Sequence, residues 1–143
     1  MEKFIALGPL FESRVRARFE EQQLMKTIGA GLTRVVPGEV WIEMPFNTAF
    51  TQQDDFLHAG VITSIVDSAC GFAAYTLMNS SARVLSVEYK VNLLRPAAGE
   101  TFIAVGRVIK PGRTLTVCSG EVTPAPAGEQ TPIAVMQATM MTV

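Results

Sequence analysis

The chain has 143 residues, 48% of them apolar, enough for one compact domain with a sizeable core. Its formal net charge of −1 offers no electrostatic footprint for nucleic acid or for an anionic membrane surface. The two cysteines, Cys70 and Cys118, have no metal-ligand spacing. They read as reduced, buried small hydrophobes, which points to a cytoplasmic compartment and to no metal or other cofactor.

The N-terminal stretch has a short apolar run but no long h-region and no small-residue cleavage site, so no targeting segment is expected. Phe11, Val15 and Phe19 recur at helical spacing, and Met25 and Ile28 extend the stripe. This predicts one amphipathic first helix ending near Gly29-Ala30-Gly31, with the run of arginines and glutamates between Arg14 and Glu21 on a solvated face. Leu32 to Phe46 alternates at Val40, Ile42 and Met44 and is broken by Pro37-Gly38, the pattern of a hairpin. Asn47 to Phe56 is a polar loop.

The most apolar stretch follows, Leu57 to Met78, which reads as a buried helix ended by Asn79-Ser80-Ser81. Asp67, Ser64 and Ser68 interrupt it, so it is no membrane span. The period then changes to two. Val87, Tyr89, Val91 and Leu93 fall on one face of a strand and Ser86, Glu88, Lys90 and Asn92 on the other. Arg95 to Gly99 is a turn, Thr101 to Lys110 a strand, Pro111-Gly112 a tight turn and Arg113 to Val122 another strand. Pro124 to Pro132 is a loose loop and Ile133 to Val143 the last strand. The order predicts an α+β chain in which one antiparallel sheet wraps a long helix that is apolar nearly all round.

One acid stands out. Between Asp55 and Arg83 the only formal charge is Asp67. A carboxylate in an apolar helix loses hydration, which raises its pKa and makes it a better base. The same segment opens with the only histidine, His58, before the small pair Ala59-Gly60. Open N–H groups of Ala59, Gly60 and Val61 at a helix start, aided by the helix dipole, suit a developing oxyanion. These are the parts of an acyl-transfer site, with Asp67 as base or nucleophile and His58 either taking part or only orienting the loop. No nucleophile elbow and no phosphate-cradling glycine loop is present.

His58 and Asp67 are nine residues apart, about 900° of helical turn, so they lie on roughly opposite sides of the helix. One chain cannot easily bring the Ala59 and Gly60 amides and the Asp67 carboxylate to one carbonyl. Two chains with antiparallel helices at a two-fold axis can.

The element order and the segment HAGVITSIVDSACG, an HxG motif, six residues and then an acid, resemble the hotdog fold and within it the PaaI-type acyl-CoA thioesterases. Ser86-Val87-Glu88-Tyr89-Lys90 followed by Leu94-Arg95-Pro96-Ala97, and the Gly112-Arg113-Thr114-Leu115 turn, extend the match across about residues 40–143. The resemblance implies one hotdog domain over residues 1–143, with 1–30 as a helical extension. It implies hydrolysis of an aryl-CoA or of a medium- or long-chain acyl-CoA by a homodimer, or by a tetramer built as a dimer of dimers, with shared sites. Ser86 would hold a water near Asp67. Ala59 stands where the family has the first glycine of HGG. Gln52, with Gln53 beside it, stands where many members have an asparagine that orients a water or the thioester oxygen. Arg95 and Arg113, with Lys90 and Arg83, are candidates for the CoA phosphates. Phe50, Phe56, Phe72, Tyr75, Leu77 and Met78 either line an acyl pocket or belong to the core. A hotdog-fold hydratase or dehydratase, which needs both the His58 and the acid side chain, and a non-catalytic acyl-CoA binder are the alternatives.

Overall fold

The computed structural model describes residues 4–125 and 131–143. Two short helices come first, α1 (Phe11–Glu20) and α2 (Gln23–Ile28), then the hairpin β1 (Gly31–Val36) and β2 (Glu39–Pro45). A single 3-10 turn, Thr48–Phe50, leads to α3 (Ala59–Tyr75). Four strands complete the chain, β3 (Val84–Leu93), β4 (Thr101–Lys110), β5 (Leu115–Pro124) and β6 (Ala134–Thr142). With β1 and β2 they form one six-stranded antiparallel sheet in the order β1-β2-β4-β5-β6-β3, so β3 is an edge. The predicted α+β layout, an antiparallel sheet around one long apolar helix, is the one observed.

α3 lies across the concave side of the sheet, with Ile62, Ile65, Val66, Ala69 and Ala73 buried against Val40, Ile42, Ala104 and Val122. Two sheet glycines allow this close seat. A Cβ on Gly106 would collide with the backbone of Ala69, and one on Gly120 with the side chains of Val66 and Cys70. Gly106→Ala is therefore expected to lower stability by about 1–3 kcal/mol, as overpacking does, which denaturant unfolding would measure. Cys70 and Cys118 are free and buried. Burial pushes the Cys118 thiol up to about 12, and burial, with the neighbouring Cys118 and Asp67, raises Cys70 further still.

The first helix departs from expectation. The chain breaks at Glu21–Gln22, where the Glu21 and Gln22 N–H groups close the last turn of α1 onto Arg18 and Phe19. The apolar spacing from Phe19 to Met25 is six residues, which a continuous helix cannot keep on one face. α2 ends as predicted at Gly29, whose φ of 73° is the left-handed value that glycine adopts without strain. Arg14 is not merely solvated either. Its guanidinium stacks 4.6 Å from the Tyr75 ring centroid and donates to the carbonyls of Met78, at 2.8 Å, and Asn79. That pins α1 to the C-terminal end of α3, where carbonyls lack helical partners.

β3 also differs from the simple alternation. Its register against β6 shifts between Ser86 and Glu88, a bulge. Ser86 therefore pairs with buried Met140, while Tyr89, Val91 and Leu93 pair with buried Ala138, Met136 and Ala134. Ser86 shares the concave face with those apolar residues instead of opposing it. Of the predicted loop between Pro124 and Pro132, Pro124 belongs to β5, and 126–130 lie outside the described residues.

Candidate active site

α3 begins at His58, the residue before its first turn, with φ −58° and ψ 137°. The His58 ring Nδ1 accepts from the Gly60 N–H at 2.8 Å, so the histidine caps its own helix. The proton of a neutral ring is then on Nε2. The Val61 N–H donates to the His58 carbonyl at 2.9 Å. The expectation that Ala59, Gly60 and Val61 all present open donors is thus corrected. Among the described residues the Ala59 N–H alone of the three has no hydrogen-bond partner.

Ala59 lines a cavity of about 540 Å³ with Gln52, Phe56, Leu93, Leu94 and Arg95. The Gln52 carbonyl oxygen accepts from the Asp54 and Phe56 N–H groups, folding the loop back on itself. Its amide nitrogen makes no hydrogen bond to a described residue. Gln53 is exposed, donates to Asp54 at 3.3 Å and lines neither this cavity nor the next.

Two turns further along α3 is the acid. Asp67 is partly buried, and Ser86 donates to its Oδ1 at 2.7 Å. Burial raises the Asp67 pKa and the Ser86 hydrogen bond pulls it back only in part. The bulge in β3 is what turns Ser86 toward this carboxylate. Asp67 and Ser86 line a second cavity, about 310 Å³, with Gly71, Phe72 and Tyr75 along α3 and Arg18, Gln22 and Arg83 at its sides. Sequence reasoning missed Gln22, Ser68 and Gly71. Ser68 is buried beside Asp67 and donates to Gln22 Oε1 at 2.9 Å. Gln22 comes from the break between α1 and α2 and carried no signal of its own.

Within one chain, therefore, the amide and the acid line different cavities, eight residues and about 12 Å apart along α3. Arg95 and Phe56 go with the amide, Phe72, Tyr75 and Arg83 with the acid. Arg113 goes with neither. It lines a smaller hollow with Leu77 and Met78 near the end of α3. The turn that carries Arg113 sits at the other end of the β4–β5 hairpin from Thr101. Phe50 packs against the core. Among the described residues no group of three or more His, Cys, Asp or Glu side chains is placed to hold a metal, and no helix is long and apolar enough to cross a membrane.

The sequence matches the family model described as the thioesterase superfamily over residues 55–129, the stretch that carries His58, Ala59, Asp67 and Ser86. Among solved structures, it is similar to a thioesterase family protein from Silicibacter pomeroyi, with 47% identity, a TM-score of 0.89, and coverage of 93% of this chain and 98% of that one. Its fold also matches the PaaI protein of the Escherichia coli phenylacetic acid degradation operon, with 20% identity, a TM-score of 0.81 and 93% of each chain covered. Human acyl-coenzyme A thioesterase 13 is 27% identical over 125 residues, 87% of this chain and 86% of that protein. The helix-wrapping sheet, the HxG start of α3 and the acid on its concave face thus have one reading: the chain belongs to the thioesterase superfamily, a thioester hydrolase with the PaaI-type hotdog fold.

Proposed function

We propose that this hydrolase cleaves acyl-CoA thioesters, of aryl or medium- to long-chain acids, to the free acid and CoA. It would act as a cytoplasmic homodimer, alone or as half of a tetramer, each chain being one hotdog domain with residues 1–30 as its extension. The observation that carries the reading is the Asp67–Ser86 pair, a desolvated carboxylate hydrogen-bonded at 2.7 Å in a cavity with an apolar wall. The human relative, named an acyl-CoA thioesterase, supports the substrate class.

In this mechanism Asp67 takes a proton from a water that Ser86 holds through its oxygen lone pairs. The hydroxide adds to the thioester carbonyl carbon, and the Ala59 N–H at the positive end of α3 receives the oxyanion. Collapse breaks the C–S bond, and the Asp67 proton goes to the departing thiolate. Gln52, with its free amide N–H groups, orients the carbonyl or the water from the amide side. Arg95 there and Arg83 on the acid side would meet the CoA phosphates; Gln53 and Arg113 remain candidates only for the outer parts of CoA.

The shared site has a structural rationale in β3. Leu85, Val87, Tyr89 and Leu93 on this edge strand are 46–53% exposed, too much apolar edge to leave in water. The start of β3, Val84 and Ser86, lines the acid cavity, and its end, Leu93, lines the amide cavity. Two β3 strands paired antiparallel about a two-fold axis would lay one chain's acid cavity over the other's amide cavity.

A panel of acyl-CoA and aryl-CoA thioesters assayed for free-thiol release tests the reading. Release from none of them, with binding retained, would leave a non-catalytic binder. Substitution of His58 separates the hydratase, which needs that side chain for proton transfer, from the thioesterase, in which the loss should be milder. Ser86→Ala should lower kcat by about 10-fold or more. It should also move the acid limb of the pH–rate profile to higher pH, because the lost hydrogen bond was holding the Asp67 pKa down. An unshifted limb would remove Ser86 from this role.

A further inference from the structure

One glycine in α3 has no reason inside the protein. Gly71 sits in the interior of a 17-residue helix, where glycine is less stable than alanine because it gives up more backbone freedom. Its φ is not among the positive values. A Cβ built on it would meet only Met140 Sδ, at 4.0 Å, an ordinary contact. Gly106 and Gly120 differ, since a Cβ at either would strike α3 itself. The fold has room for alanine at position 71, and α3 uses alanine freely nearby, at Ala69, Ala73 and Ala74.

The space in front of Gly71 is the Asp67 cavity. Gly71 follows Asp67 by four residues, so it lies on the same face one turn on, a rise of about 6 Å. Phe72 and Tyr75 continue the wall with apolar surface. An acyl group that runs from a carbonyl at Asp67 along α3 would reach that height with the far edge of an aromatic ring, or with about its fifth and sixth carbons.

We infer that Gly71 is a specificity-determining residue, leaving open the wall of the Asp67 cavity so that the ring of an aromatic acyl group fits beside Phe72 and Tyr75. The inference rests on the acyl-CoA reading above and deepens it. Straight methylene chains, being thinner than a ring, would gain less from the missing Cβ.

Gly71→Ala tests it. The ratio of kcat/KM for benzoyl-CoA to that for acetyl-CoA is expected to fall about 10-fold, mostly through KM, the scale on which one methyl group in a closed pocket discriminates. The thermal midpoint should rise by about 3 °C, because alanine suits a helix interior better, and the oligomer size should not change. Gly71→Leu, which fills more of the cavity, should lower the ratio further. An unchanged ratio, or a wild-type enzyme that prefers acetyl-CoA, overturns the inference while leaving the hydrolase reading standing. A lower midpoint or an altered oligomer size for Gly71→Ala also overturns it, since the glycine would then serve the fold or the assembly. Failure of wild type to release thiol from any thioester is the separate result that defeats the acyl-CoA reading itself.

Discussion

Asp67→Asn should lower kcat by about two to four orders of magnitude, the usual loss when a general base is removed, with the fold intact. Asparagine has the same shape, and its carbonyl oxygen can still accept from Ser86. Stability should move the other way. The folded Asp67 pKa is raised by burial, so the neutral form is the one the fold favours. The sign follows from linkage: stability is fully present below the unfolded pKa and is lost as pH rises through the folded one. At neutral pH the wild type therefore holds an ionised carboxylate at a cost, and Asp67→Asn should be at least as stable there. That advantage should shrink on acidification, as wild-type Asp67 takes up its proton. Denaturant midpoints against pH, measured beside single-turnover thiol release, check both halves. Near-normal turnover in the folded variant would exclude Asp67 as the base.

Ala59→Pro should cost about two to three orders of magnitude in kcat, the loss typical of one oxyanion-hole donor. Proline removes only the N–H, and Ala59 is the first residue of α3, the one helical position where proline is well tolerated. The preceding residue, His58, already has the extended backbone that proline demands of its neighbour. Circular dichroism should thus be unchanged, which separates a lost donor from a lost helix. Gly60→Pro would be less clean, because it also removes the bond to His58 Nδ1. The same variant tests whether the site is shared. Refolding Ala59→Pro together with Asp67→Asn gives mixed dimers in which one site has both an intact amide and an intact carboxylate. Random pairing makes about half the dimers mixed, each with one good site of two, so recovery should approach about a quarter of wild-type activity. No recovery, with mixed dimers verified by native mass spectrometry, would place the whole site within one chain.

Much of this was legible in the sequence because the signals are local. The periods of the hairpin, of α3 and of β4 to β6 follow from which residues alternate, and an isolated acid in an apolar run marks Asp67 without any partner in view. The nine-residue spacing from His58 does not transfer to the open amide: Ala59 is eight residues from Asp67, only about 80° round the helix, and it is about 12 Å of rise along α3 that leaves the two in different cavities. What the sequence could not carry depends on contacts across the chain or on backbone irregularity. The β3 bulge adds one residue to one strand only, which no strict alternation anticipates, yet it decides that Ser86 faces Asp67. The His58 ring competes with any substrate for the Gly60 N–H, a matter of ring placement rather than residue type.

By itself, then, the sequence determined the helix, the strands and the acid, because hydrophobic period and the cost of a desolvated charge act over a few residues. Tertiary structure alone decided which wall Gln22 and Gly71 form beside Asp67, and that Arg113 lies away from both cavities. Each of these depends on where distant segments meet, and the packing of α3 against the curved sheet sets that.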